Sequence, residues 1–233
     1  MLRLGLVCEE AAGARALQAA AAAGHAIAAL ATSPGSPAWA LAMRLGCTPV
    51  PAQRVREPCF AAELERAGVE LLLNVHSLHL LPETVLRVPR LGAYNLHPGP
   101  LPRYAGLNAP SWAIYHGEER HGVTLHRMEP GIDTGPIAYQ EIFRIEPCDT
   151  GLTVALRCMQ KGLALVARLL EVASRDPDAV PRTPQDPAQR SYFGRGVPQG
   201  GRIGWDAPAR RIRDFVRACD YRPFRSPWGA PRA

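Results

Sequence analysis

The spacing of apolar positions changes period several times along the chain, and each change marks an element. Leu2–Val7 is apolar with little alternation, the pattern of a strand covered on both faces of a parallel sheet. Ala11–Ala23 follows as an alanine-rich helix with Arg15 and Gln18 outward and Gly24 at its stop. A second apolar run, Ala26–Ala31, leads into the turn cluster Thr32-Ser33-Pro34-Gly35-Ser36-Pro37. Then come a helix at Ala38–Leu45 stopped by Gly46, a short strand at Thr48–Val50, a helix at Pro58–Ala67 ending at Gly68, and a strand at Val69–Val75. Strand and helix alternating in this order predict a parallel sheet with crossover helices.

Further along, Pro82–Val88 reads as a helix, Gly92–Leu96 as a short strand, and Pro98-Gly99-Pro100-Leu101-Pro102 as a rigid turn. Ala109–His116 is helical. Gly122–Met128 is a strand of alternating pattern with Val123, Leu125 and Arg127 on one side. Pro130–Gly135 is a turn, Ile137–Ile142 a strand and Thr150–Ala173 a long amphipathic helix. From Pro177 the chain becomes rich in Pro, Gly and Arg, with one regular element, a helix at Asp206–Cys219 with Asp206 as its N-cap. The expected architecture is α/β, a Rossmann-like, mostly parallel sheet flanked by helices with a short C-terminal extension. The expected division is a catalytic domain over residues 1–176 and, over 177–233, an extended linker and helix that start a C-terminal subdomain.

Composition narrows the class. With 47% hydrophobic and 21% charged residues the chain sits in the globular range. The longest apolar stretches, Leu17–Leu30 and the run around Leu163–Val172, fall short of the roughly 18–20 residues a membrane span requires. The first residues lack the long apolar core of an export signal, which points to the cytoplasm and to free thiols for the six cysteines. The net charge of +6 comes almost wholly from scattered arginines, Lys161 being the only lysine, so it does not describe a phosphate-tracking groove. The first strand–helix turn, Val7-Cys8-Glu9-Glu10-Ala11-Ala12-Gly13, lacks the glycine spacing of a dinucleotide loop.

Candidate chemistry concentrates at two places. In Asn95-Leu96-His97, alternation puts Asn95 and His97 on one side at the carboxyl end of a strand, where open α/β sheets bind ligands. Asp133 lies in the glycine-flanked turn Pro130-Gly131-Ile132-Asp133-Thr134-Gly135-Pro136 and can project into the same crevice. An amide and an imidazolium can donate hydrogen bonds to an oxyanion, and a carboxylate can orient the imidazole and take a proton from an attacking amine. That set suits acyl transfer without a covalent enzyme intermediate. His116, His121 and His126 read as surface or strand-end residues, Trp112 and Trp205 as packing residues, and no ligand spacing calls for a metal.

The segment from Asn95 to Gly106, with His121-Gly122-Val123-Thr124-Leu125-His126 and Gly131-Ile132-Asp133-Thr134-Gly135, resembles the 10-formyltetrahydrofolate-dependent formyltransferases. That superfamily includes methionyl-tRNA formyltransferase, glycinamide ribonucleotide formyltransferase and the amino-sugar N-formyltransferases. The likeness is strongest over residues 69–174 and resumes at Ser191–Trp205 and Ile212–Pro231. It implies 10-formyltetrahydrofolate as co-substrate, no metal, Asn95, His97 and Asp133 as catalytic residues, and a cis peptide before Pro102. It also implies a pterin site lined by Ser77, Leu78, His79, Leu80, Leu81, Gly131, Ile132 and Asp133. Arg103 and Asn108, on the loop leaving the active strand, are candidates for the acceptor's phosphate or carboxylate. Two departures bear on substrate fit. The family's Ser-Leu-Leu-Pro is Gly99-Pro100-Leu101-Pro102, and His76-Ser77-Leu78-His79 replaces the usual segment after the fourth strand.

The resemblance leaves the acceptor open among a small amine, an amino sugar and an aminoacyl group on a carrier. Transfer to tRNA is disfavoured, because Thr32–Leu41 has no lysine or arginine where the tRNA enzymes carry a basic insertion, and the chain stops at Ala233, where their second domain would begin. Further domains of a larger enzyme remain compatible with that end point. Two other classes stay open, a hydrolase that directs water onto formyl-folate and a non-catalytic folate-binding domain.

Overall fold

In the computed structural model, which describes residues 1–233, the elements run in chain order as follows. The first part holds β1 (Arg3–Cys8), α1 (Glu10–Ala22), β2 (Ala26–Thr32), α2 (Pro37–Arg44), β3 (Val50–Pro51), α3 (Pro58–Arg66), β4 (Leu71–Val75) and α4 (Glu83–Leu86). Next come β5 (Ala93–His97), β6 (Ala105–Gly106), α5 (Ala109–Tyr115), β7 (Arg120–Arg127), β8 (Ile137–Arg144), α6 (Gly151–Arg175), β9 (Tyr192–Phe193) and α7 (Ala209–Ala218). Seven strands form one sheet in the order β3-β2-β1-β4-β5-β7-β8, and the pairs from β3 through β5 are parallel. The continuous apolar runs explain why: every residue of β4 and the last five of β1 are buried. α1 buries Gly13, Ala16, Leu17 and Ala20, the three-four spacing of a single helix face. No helix is long and apolar enough to cross a membrane.

The chain groups into two units. The first comprises Met1–His97, Leu125–Tyr139 and Gly162–Gln185; the second comprises Pro98–Thr124, Gln140–Lys161 and Asp186–Ala233. The first holds β1 to β5 and a core cluster that includes Val7, Phe60, Leu64 and Leu72. The second is organised by aromatic rings: Trp112 stacks on Phe193 with centroids 4.7 Å apart and meets Trp228 edge-on at 4.8 Å.

Five expectations are corrected. β7 does not alternate: His121 to Arg127 are buried or half-buried throughout. Two of its polar atoms meet protein carbonyls instead of water, Thr124 Oγ1 donating to the Gly99 carbonyl at 2.7 Å and His121 Nε2 lying 2.9 Å from the Pro98 carbonyl. His121 and His126 are therefore interior residues, 0% and 2% exposed. α7 starts three residues later than expected, with Pro208 at its N-cap and no side-chain cap, because a residue preceding proline is pushed out of helical conformation. Trp205 is 70% exposed and packs nothing away from water. The segment after Arg175 also contains short 3-10 turns and β9, which pairs with β6.

All six cysteines are free. Burial, and then the carboxylate of Glu9, push the Cys8 thiol up to about 12, and burial pushes Cys219 up to about 11. Native protein treated with iodoacetamide at neutral pH is expected to modify exposed Cys59 and Cys148 well before buried Cys8, Cys158 and Cys219. Peptide mass spectrometry reads the order, and early labelling of Cys8 would contradict its burial. A raised pKa also makes the neutral thiol part of native stability. That contribution is complete below about pH 9 and is lost as pH climbs towards 12.

Candidate active site

Parallel pairing of β4 with β5 sets Asn74 directly beside Asn95. Asn74 Nδ2 donates to Asn95 Oδ1 at 3.0 Å, which fixes the Asn95 amide with its nitrogen turned away from β4. That nitrogen lies 3.2 Å from His126 Nε2 and 3.3 Å from Asp133 Oδ1. His126 Nδ1 is 2.9 Å from the Arg127 carbonyl, which can only accept, so Nδ1 carries the hydrogen. In the neutral ring Nε2 is then an acceptor for Asn95. Three partners on three segments hold one amide in one orientation.

Two residues beyond Asn95 and on the same side of β5, His97 is 3% exposed. Its Nδ1 lies 3.4 Å from Asp133 Oδ2, and His126 Nε2 lies 3.3 Å from Asp133 Oδ1. The carboxylate thus stands among the amide and both imidazoles. It offsets positive charge on whichever ring takes a proton and orients the His97 ring through Nδ1. Asp133 sits at φ +54, a left-handed conformation that aspartate tolerates better than most residues. Its neighbour Gly135 has no substitute: a Cβ there would stand 2.0 Å from the Arg127 carbonyl oxygen.

The structure therefore brings Asn95, His97 and Asp133 together, and adds Asn74 and His126, which the sequence reading passed over. A signal existed for Asn74, a lone polar residue inside Leu71-Leu72-Leu73-Asn74-Val75. His126 stands in the buried strand β7 near the Asp133 turn, and its place near the strand end gives no sign of its partners. Ser77–Leu80 follow β4 as irregular backbone, with Leu78 and Leu80 exposed at 78% and 61%. Ile132, beside Asp133 in sequence, is 38% exposed. In the second unit, Arg103 is ion-paired with Glu118, its guanidinium 5.4 Å from the centroid of the Tyr104 ring. Asn108 takes a left-handed conformation before α5 and makes no capping hydrogen bond. The Leu101–Pro102 peptide is cis. No cluster of three or more His, Cys, Asp or Glu side chains is placed to hold a metal ion.

Residues 5–170 match the family model described as formyl transferase. The chain belongs to the formyltransferase family. A methionyl-tRNA formyltransferase from Sorangium cellulosum is 36% identical over 179 residues, 76% of this chain and 56% of that protein. The chain thus spans little more than half the length of that relative. Among solved structures, the 4-N formyltransferase from Francisella tularensis superposes with a TM-score of 0.80 at 16% identity, covering 97% of this chain and 90% of that one. The Helicobacter canadensis N-formyltransferase, solved with folinic acid and dTDP-3-aminofucose, superposes at 0.74 with 18% identity over 94% of this chain and 80% of that one. At such identities these two structures establish a shared formyltransferase fold.

Proposed function

We propose that this formyltransferase moves a formyl group from 10-formyltetrahydrofolate to a primary amine, using Asn95, His97 and Asp133. The observation that carries this reading is the single carboxylate of Asp133 reaching Asn95 Nδ2 at 3.3 Å and His97 Nδ1 at 3.4 Å across 38 and 36 residues of chain. The residues around them suit the folate. A flat heterocycle with amide-like edges needs backbone donors and acceptors beside apolar surface. The irregular backbone of Ser77–Leu81 and the Gly131–Asp133 turn offer the first; exposed Leu78, Leu80 and Ile132 offer the second. When bound, the folate supplies an activated formyl carbon.

The protein's own groups then have distinct tasks. Negative charge develops on the formyl oxygen as a neutral amine attacks. The Asn95 N–H groups and a protonated His97 are the donors that stabilise it, each such donor contributing about 3–4 kcal/mol. Asn95 must exchange one present contact, to His126 or to Asp133, for the formyl oxygen. Both are long at 3.2 and 3.3 Å, so little is lost in the exchange. Asp133 orients His97 and accepts the proton that the amine must shed, directly or through a water; the bond from the formyl carbon to the folate nitrogen then breaks, that nitrogen takes up the proton, and tetrahydrofolate leaves.

For the acceptor we favour an amino sugar on a nucleotide or an amine of a small or carrier-bound metabolite. This draws on the amino-sugar ligand in the Helicobacter structure and on the absence of basic residues from Thr32–Leu41. Incubating the protein with 10-formyltetrahydrofolate and each acceptor class, methionyl-tRNA included, tests the reading. Amine-dependent release of tetrahydrofolate is expected. Release of formate at the same rate without any amine would make the protein a hydrolase, and transfer to methionyl-tRNA alone would overturn the acceptor assignment.

A further inference from the structure

The turn that carries Asp133 joins β7 to β8. Its base is closed by the Arg127 N–H donating to the Pro136 carbonyl at 2.9 Å, and Thr134 Oγ1 reaches the Pro130 carbonyl only at 3.5 Å. Yet Asp133 occupies a left-handed conformation, which persists in a non-glycine residue only where its surroundings hold it. A further restraint reaches the turn from 50 residues along the chain. Gln185 Nε2 donates to the Asp133 carbonyl at 3.0 Å and to the Gly135 carbonyl at 2.6 Å. Both hydrogens of one amide are thereby spent on two carbonyls of the same turn.

The approach of Gln185 is itself built. After α6 the chain turns at buried Val180 and runs beside the start of β8, where Ile137 and Thr183 exchange two backbone hydrogen bonds at 2.8 and 3.0 Å. That antiparallel bridge sets the register that delivers residue 185 to the turn. Gln185 Oε1, by contrast, is buried and accepts no hydrogen bond. A side chain placed there for packing alone would do better without a buried, unpaired oxygen, so the donor end accounts for the choice of glutamine.

We infer that Gln185 is a positioning residue for Asp133, clamping the turn so that the carboxylate stays within reach of Asn95 and His97. The importance of Asp133 rests on the formyl-transfer reading above; the clamp itself does not. A displacement of about 1 Å at a catalytic group can lower turnover by up to about 100-fold.

Three forms of the full chain test it: wild type, Gln185→Met, which keeps length and volume but has no donor, and Gln185→Lys, which keeps an N–H donor on a chain of similar reach. Hydrogen–deuterium exchange of peptides covering residues 131–135 is measured on the protein alone, with the β1 and β4 peptides as the control for folding. Gln185→Met is expected to speed exchange of the turn by about tenfold or more with the β1 and β4 peptides unchanged, and Gln185→Lys to restore much of the protection. In the formyl-transfer assay Gln185→Met is expected to lower kcat by about 10- to 100-fold and leave KM for the amine within about twofold. Turn exchange and kcat unaltered in Gln185→Met, or Gln185→Lys as impaired as Gln185→Met, would overturn the clamp. If wild type transfers formyl to no amine, the formyl-transfer reading fails and exchange alone still decides for or against the clamp.

Discussion

Replacing His97 by asparagine is expected to lower the rate of formyl transfer by roughly 100- to 1,000-fold, the range for losing one oxyanion donor. The fold should survive. His97 is buried at the end of β5, and asparagine keeps a polar, smaller side chain there. Asp133 would not be stranded, because its Oδ1 retains Asn95 Nδ2 at 3.3 Å. The stability loss is therefore expected to be about 1–3 kcal/mol, the penalty of a disturbed buried polar contact. Initial rates and a thermal melt, taken on the same preparation, separate the two effects. A variant that still turns over within about threefold of wild type would remove His97 from the chemistry.

The second large effect is expected from Asp133→Asn. The two carboxylate oxygens face donors on both sides, Asn95 Nδ2 at one and His97 Nδ1 at the other. An amide has one oxygen and one NH2, so whichever way it turns, one donor meets another donor. Asparagine also lacks the negative charge that steadies a protonated imidazole and cannot take the amine's proton. A loss in kcat of about 100- to 1,000-fold is expected, with KM for the amine changed far less, because the proposed mechanism has the groups lost act on the reacting atoms. Loss through KM alone, with kcat intact, would instead place Asp133 in substrate binding.

Much of this site is legible from residue order, for a physical reason. Asn95 and His97 sit two apart on a strand, so pleating alone puts them on one side; glycines around Asp133 announce a turn able to reach back. The neighbours that orient them are not legible in that way. Asn74 meets Asn95 only because β4 and β5 pair in one register, and a shift of one residue would send its side chain to the other face of the sheet. Gln185 lies in Thr183-Pro184-Gln185, a stretch with no periodicity, and its role comes from one bridge to Ile137. β7 misled for a related reason: Thr124 and His126 look like the wet half of an alternating strand, but internal partners replace water there.

By itself, the order of residues determined the layers of the fold: continuous apolar runs demand strands buried on both faces, and three-four spacing demands helices that cover them. It also named the amide, imidazole and carboxylate, because chemistry depends on residue type. What only the tertiary structure decided was orientation: which way the Asn95 amide faces, which His126 nitrogen carries hydrogen, and what holds Asp133 in a left-handed turn. Hydrogen bonds a few ångströms long, between groups tens of residues apart, settle these, and such distances exist only once the chain has folded.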